Sequence, residues 1–203
     1  MGCRPSCRCD QPPVCVAIAL GANLPSALGS SLETLLAVRQ PLQELLSRHL
    51  DAAVPQWSPL FRTAPVGGPG DQPDYLNAVV VLRDQPPGDV AAAEALMADL
   101  LALEQDFGRQ RLERWGPRCL DLDLLWWGDL RSDSTTLQLP HPRLRERTFV
   151  LAPLAAIDPS LVPPAAGIGF EKAATVATLL AALLPQCPEP PPRRLPPRTA
   201  WPE

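Results

Sequence analysis

Asp121 and Asp123 stand two apart in the run Leu120-Asp-Leu-Asp-Leu-Leu125. On a β-strand, residues i and i+2 share a face, so both carboxylates converge while Leu120, Leu122 and Leu124 point the other way. Two adjacent carboxylates repel, and beside a core they call for a cation between them. Hard oxygen donors at this spacing suit Mg²⁺ held jointly with phosphate oxygens. A solvated edge-strand face is the other reading of the pair. Arg109, Arg111, Arg114 and Arg118 fall directly upstream. The guanidinium is a permanently charged fork that matches phosphate bidentately. An Arg loop beside a carboxylate pair is the layout expected for a triphosphate. His141, Arg143, Arg145 and Arg147 form a second basic group downstream. For any one of these Arg a surface role competes with a ligand role; the grouping favours the ligand.

A third constellation is Phe61-Arg-Thr-Ala-Pro65 followed by Asp71-Gln-Pro-Asp-Tyr-Leu-Asn77, which holds the only tyrosine of the chain. Pro65 and Pro73 restrict the loop, lowering the cost of ordering it around a ligand. Tyr75 and Asn77 share a strand face. A flat ring with an amide beside it suits a planar heterocycle with a donor–acceptor edge. A core tyrosine and a turn asparagine are the alternative.

Several function classes are excluded. There is no G-x-x-x-x-G-K-[ST] loop, no strand–G-x-G-x-x-G–helix and no kinase signature. Phosphate handling must therefore rest on Arg side chains and metal, without a glycine-rich backbone cradle. The net charge is −4, and the aromatic string of RNA-binding sheets is missing, which argues against a nucleic-acid surface. No apolar run approaches the ~20 residues of a membrane span. Six cysteines, four of them within the first 15 residues, are read as free thiols of a reducing cytosol. The basic residues are 17 Arg and the single Lys172, and 27 residues are proline.

The elements that must position these groups follow from periodicity. Val14–Leu20 reads as a buried strand. Ser30 and Glu33 form a capping box for a helix bearing Leu32, Leu35 and Leu36, and Pro41 predicts a kink or two short helices. Trp57–Arg62 and Leu76–Leu82 read as strands. Asp89 caps a long helix that ends at Gly108. Leu120–Trp127 is the next strand, with helices near 147–157 and 171–184 to follow. The order β-α-β-β-α-β suits a ferredoxin-like α+β core, a mainly antiparallel sheet with flanking helices on one face. Residues 1–13 read as a disordered extension, 14–184 as one domain, and 185–203, with eight prolines, as a Pro-rich disordered tail.

Five segments together resemble 6-hydroxymethyl-7,8-dihydropterin pyrophosphokinases of folate biosynthesis. They are Gly21-Ala-Asn-Leu24, Phe61-Arg-Thr63, Asp71-Gln-Pro-Asp-Tyr-Leu-Asn77, Arg114-Trp-Gly-Pro-Arg-Cys-Leu-Asp-Leu-Asp123, and Leu139-Pro-His141 with Arg147 and Phe149. The resemblance implies transfer of pyrophosphate from ATP to the pterin hydroxymethyl oxygen, leaving AMP. It implies that Asp121 and Asp123 bind two Mg²⁺ ions. Glu104, Arg109, Arg111, Arg114, Trp115, Arg118, Leu124, His141 and Arg147 would line the ATP site, with Arg109, Arg118, Asp121 and Asp123 catalytic. Tyr75 and Phe149 would stack on the pterin; Asn77, Thr63, Ala64 and Val66 would read its edge; Trp115 would move with the Arg loop and touch substrate. A monomeric cytoplasmic enzyme is expected, with ATP and a pterin as partners and neither nucleic acid nor membrane. Gly21-Ala22 replaces the usual Gly-Ser, and Leu101 and Thr136 stand where members often carry Gln and Arg. A palm-type nucleotidyltransferase, which releases pyrophosphate, is the competing enzyme class.

Overall fold

The computed structural model describes residues 14–51, 54–68, 71–109, 116–165, 173–198 and 200–202. The expected extension over 1–13, and Arg111, Arg114 and Trp115, lie outside the described residues. Strand β1 (Val14–Ala22) lies between β4 (Tyr75–Gln85) and β5 (Asp121–Trp127). Strands β2 (Gln56–Trp57) and β3 (Phe61–Thr63) both pair with β4. Every pairing in this sheet is antiparallel, in the order β5-β1-β4-β3, as the ferredoxin-like reading requires. A separate hairpin, β6 (Ser132–Asp133) and β7 (Gln138–Leu139), follows β5.

Helices α1 (Ser31–His49) and α2 (Val90–Asp106) cover one face. Val16, Ile18, Leu20, Val80, Leu122 and Leu124 meet Leu35, Val38, Leu42, Leu96 and Leu100 there. The expected capping box is present: the Ser30 N–H donates to Glu33 Oε2 at 2.7 Å, and the Glu33 N–H reaches Ser30 Oγ at 3.4 Å. Pro41 neither breaks α1 nor splits it in two. Val38, Leu42, Leu45 and Leu46 are buried on both sides of the proline, and that packing offsets the roughly 3 kcal/mol an interior proline costs. The cap on α2 is also as expected, with Asp89 accepting the Ala92 N–H at 2.8 Å.

Three further expectations are corrected. Helices do not sit on one face only. Helices α3 (Thr148–Ile157) and α4 (Val176–Leu183) cover the opposite face, where Val150, Leu151 and Leu154 pack on Ala17, Val79, Val81 and Trp126. The central strands are thus apolar on both sides, which explains the unbroken apolar run of β1. The strand expected over 57–62 is two short strands. Pro59 has no N–H to offer, and Ser58 pairs with Val79 instead, donating its N–H to the carbonyl and accepting the Val79 N–H on Oγ, both at 2.9 Å.

The third correction concerns the Pro-rich segment from 185, read as loose. A 3-10 turn (Leu184–Gln186) leads to strand β8 (Arg193–Arg194), which pairs with β3 at the sheet edge. Leu195 donates its N–H to the Leu60 carbonyl at 2.8 Å. Trp201 is buried, lies edge-on to Trp57 at 5.5 Å, and donates Nε1–H to the Ser58 carbonyl at 2.7 Å. The Arg and Leu between the prolines supply the missing donors, and one indole supplies the apolar area.

Candidate active site

The N-terminal half of β5 projects Asp121 and Asp123 onto the α3 side of the sheet, as the i, i+2 spacing predicts, while Leu122 and Leu124 enter the opposite core. Asp121 lies between two guanidiniums: Arg109 Nη1 is 2.6 Å from Oδ1, and Arg118 Nη1 is 2.7 Å from Oδ2. Glu104, at the end of α2, is 1% exposed. It accepts the Leu122 N–H at 2.7 Å and pairs with Arg109. Burial, reinforced by the nearby Asp121 carboxylate, pushes the Glu104 carboxyl up to about 7. Its backbone contact fixes the strand residue between the two aspartates.

Asp123 faces Arg147 Nη1 at 3.4 Å and His141 Nε2 at 4.0 Å. Burial and the neighbouring Asp121 raise the Asp123 carboxyl above the usual carboxylate range, against the pull of Arg147, Arg118 and Arg109. Burial and the Arg147 guanidinium push His141 down to about 4, so its ring is neutral at neutral pH. His141 Nδ1 accepts the Arg143 N–H at 3.2 Å, and Nε2 lies 3.4 Å from Arg147 Nη1. The backbone of His141 is fixed too. The β1–β5 register shifts between Ala17 and Ile18, leaving Leu125 as an extra residue, and the Leu125 carbonyl accepts the His141 N–H at 2.7 Å.

A cavity of about 580 Å³ opens beside Arg118 and Arg147. The residues expected to meet a heterocycle line it: Thr63, Ala64, Val66, Tyr75, Asn77 and Phe149. Asn77 Nδ2 donates to Thr63 Oγ1 at 2.7 Å, which aims the amide. Burial raises the Tyr75 phenol. Gly21 must lack a side chain, since a Cβ there would lie 2.9 Å from Asn77 Oδ1. Arg147 lies 5.4 Å from the Phe149 ring centroid, within cation–π range. A second cavity, about 720 Å³, is lined by Met97, Asp123, Leu124, Thr136, Leu137 and His141. Glu94 of α2 closes its rim, accepting from Ser134 Oγ at 3.0 Å and Thr136 Oγ1 at 3.2 Å. Asp123 and His141 line this second cavity, and Arg147, which lies against both of them, lines the first.

Not every basic residue joins the site. Arg145 donates to the Pro163 carbonyl at 3.0 Å, away from the cavities. His49 pairs with Asp99 at 2.8 Å between α1 and α2. Asn23 and Arg143, to which the sequence assigned no individual role, belong to the site too. Asn23 bonds both the Arg118 backbone and the Pro73 carbonyl, and Arg143 lines the first cavity. A polar residue placed directly after a buried strand was the available signal for Asn23; Arg143 carried none that separates it from Arg145. Among the described residues no group of three or more His, Cys, Asp or Glu is gathered as a metal cage.

Paired carboxylates ringed by guanidiniums, beside two cavities on an antiparallel α+β sheet, are an arrangement suited to a phosphate-handling transferase. The family model of 7,8-dihydro-6-hydroxymethylpterin-pyrophosphokinase (HPPK) matches residues 17–159, and the chain belongs to that family. Pyrophosphate transfer in folate biosynthesis is the activity that this membership carries. The 2-amino-4-hydroxy-6-hydroxymethyldihydropteridine pyrophosphokinase of Synechocystis sp. is 46% identical over 114 residues, covering 56% of this chain and 55% of that protein. The Haemophilus influenzae protein of the same name is 36% identical over 147 residues, covering 72% and 83%. A Plasmodium falciparum HPPK-DHPS structure with pterin and p-hydroxybenzoate superposes with a TM-score of 0.55 at 10% identity. That likeness covers 88% of this chain but 45% of the longer one, and shows the fold alone. Among the described residues no helix is long and apolar enough to cross a membrane.

Proposed function

We propose that this chain transfers the terminal pyrophosphate of ATP to 6-hydroxymethyl-7,8-dihydropterin through the residues gathered on β5 and around it. The observation that carries the reading is the pair Asp121 and Asp123 with Arg109, Arg118 and Arg147 against them, Asp123 lining the second cavity and Arg118 and Arg147 the first. The pterin occupies the first cavity, stacked between Tyr75 and Phe149 with Asn77 at its edge; the nucleoside occupies the second, against Leu124. The phosphates span the gap, within reach of Arg109, Arg118, His141 and Arg147. Arg111, Arg114 and Trp115 belong to the same reading as further residues for ATP.

Two carboxylates are a sparse donor set, and that suits Mg²⁺, which keeps waters and takes phosphate oxygens as its other ligands. Asp121 and Asp123 would hold it, two ions being the expected count, and the metal would neutralise charge on the phosphates. The hydroxymethyl oxygen bonds to the β-phosphorus as the bond from that phosphorus to the α–β bridging oxygen breaks; AMP departs with the bridging oxygen, and the hydroxyl proton is released to solvent. The protein supplies position and charge rather than covalent chemistry. Arg118 and Arg147 border both the carboxylates and the pterin cavity, so they hold donors where negative charge develops. Cys15, Cys119 and Cys187 are free thiols among the described residues, which supports a reducing cytoplasmic setting. A monomer without a nucleic-acid partner completes the reading.

Incubation with ATP, Mg²⁺ and the hydroxymethyl pterin tests it. AMP and the pterin diphosphate are expected in equal amounts. Release of inorganic pyrophosphate without AMP would replace this reading with a nucleotidyltransferase.

A further inference from the structure

We propose that Arg143 binds the diphosphate of the pterin product, adding a third guanidinium at the pterin cavity. The inference rests on the pyrophosphokinase reading above. Arg118, Arg143 and Arg147 all line that cavity. Two of the three are matched by carboxylates of the catalytic strand: Arg118 by Asp121 at 2.7 Å, and Arg147 by Asp123 at 3.4 Å. Arg143 is matched differently. Its Nε lies 3.6 Å from Glu146 Oε2, with the two side chains 40% and 67% exposed. Such a solvent-washed pair contributes little to stability.

The turn that carries Arg143 is held on several sides. Its N–H donates to His141 Nδ1, and its carbonyl accepts the Glu146 N–H at 3.2 Å. Leu144 donates its N–H to the His141 carbonyl at 3.0 Å and is buried in the core under α3. With Leu144 pinned inward, Arg143 and Arg147 flank the cavity while Arg145 turns to Pro163. The positive charge of Arg143 also reaches His141 and Arg147, where it disfavours their protonated forms.

The chemistry of the ligands gives this charge a purpose. The acceptor carries a neutral hydroxymethyl group, which needs no third guanidinium. The product carries a diphosphate, a multiply charged anion suited to a forked donor. An interaction made only after the group arrives favours the transition state and product over the substrate. Arg143 would thereby also govern how fast the product leaves.

The test measures binding of the pterin alcohol and of the pterin diphosphate to the full chain, by calorimetry or pterin fluorescence. Wild type, Arg143→Gln and Arg143→Lys are compared. Arg143→Gln is expected to weaken the diphosphate about tenfold, the cost of one charge-assisted hydrogen bond. The alcohol should bind within about twofold of wild type, since it makes no such bond. Arg143→Lys should recover part of the loss, and the diphosphate affinity of wild type should fall more steeply with salt than that of Arg143→Gln. Unchanged diphosphate affinity in Arg143→Gln overturns the proposal, as does an equal loss for both ligands. A wild-type chain that forms no AMP defeats the underlying reading instead, so the two failures are distinguishable.

Discussion

Asn23 and Arg118 bind each other through backbone and side chain. The Asn23 N–H donates to the Arg118 carbonyl at 3.0 Å, and Asn23 Oδ1 accepts the Arg118 N–H at 2.8 Å. The amide nitrogen of Asn23 is then spent on the Pro73 carbonyl at 3.1 Å. One buried side chain thus ties the end of β1 both to the base of the Arg loop and to the segment that leads into Tyr75. Asn23→Ala is expected to raise KM for the pterin and lower kcat together, while affinity for an ATP analogue changes little. Stability should fall by roughly 1–3 kcal/mol, the cost of stranding buried polar groups. Steady-state kinetics beside urea unfolding checks this; a stability loss with unmoved kinetics would reduce Asn23 to scaffolding.

Asp123→Ala should lower AMP formation by about a hundredfold or more, as removal of a preorganised charge-stabilising group does. Far-ultraviolet circular dichroism should be preserved, since the Asp123 side chain faces Arg147 and His141 and not the main core. Mg²⁺-dependent turnover at the wild-type rate would remove the metal assignment.

Trp201→Ala should cost about 3–5 kcal/mol, the range for deleting a large buried aromatic. Trp201 is 3% exposed, and its loss strands the Ser58 carbonyl as well. Denaturant titration reads this directly. A midpoint equal to that of wild type would show that the C-terminal strap is not seated on β3.

Asp158 supplies a pH signature away from the site. Its carboxylate accepts from the Ser160 hydroxyl at 2.6 Å and pairs with Arg83 at 2.6 Å, and these hold it below its ordinary value. A carboxyl depressed in the folded state contributes stability that is present above its unfolded value, about 4. That stability is lost as pH falls through the lower folded value. Asp158→Asn should therefore be less stable than wild type at pH 7, with the two converging in acid. Unfolding curves that stay parallel down to pH 2 would exclude the linkage.

The parity of β5 was legible because side chains alternate strictly along a strand, so the convergence of Asp121 and Asp123 needed no tertiary information. The caps at Ser30 and Asp89 were legible for a similar reason, being local hydrogen-bond chemistry. Other features depended on partners remote in sequence. Whether Pro41 breaks a helix is decided by what Val38 and Leu42 pack against. Whether Trp57–Arg62 is one strand is decided by Val79, which trades hydrogen bonds with Ser58. The strap was hidden by composition: its prolines signalled looseness, while its seating rests on Leu195 and Trp201. Arg143 and Arg145 are indistinguishable in sequence, and only the burial of Leu144 between them assigns one to the cavity.

The extra residue at Leu125 divides β5 into two halves with separate reading frames. Ahead of it, alternation is set by the aspartates; beyond it, Trp126 and Trp127 begin again in the opposite phase. The same seven residues could not keep both halves in place on a regular strand. Without the bulge, continuous alternation would force one half to turn over, either sending the Trp pair to the wrong cores or sending both carboxylates into the apolar face under α1 and α2. The bulged residue also supplies the carbonyl that anchors His141. The irregularity is thus what lets one strand meet two incompatible demands, a packed sheet at one end and a charged site at the other.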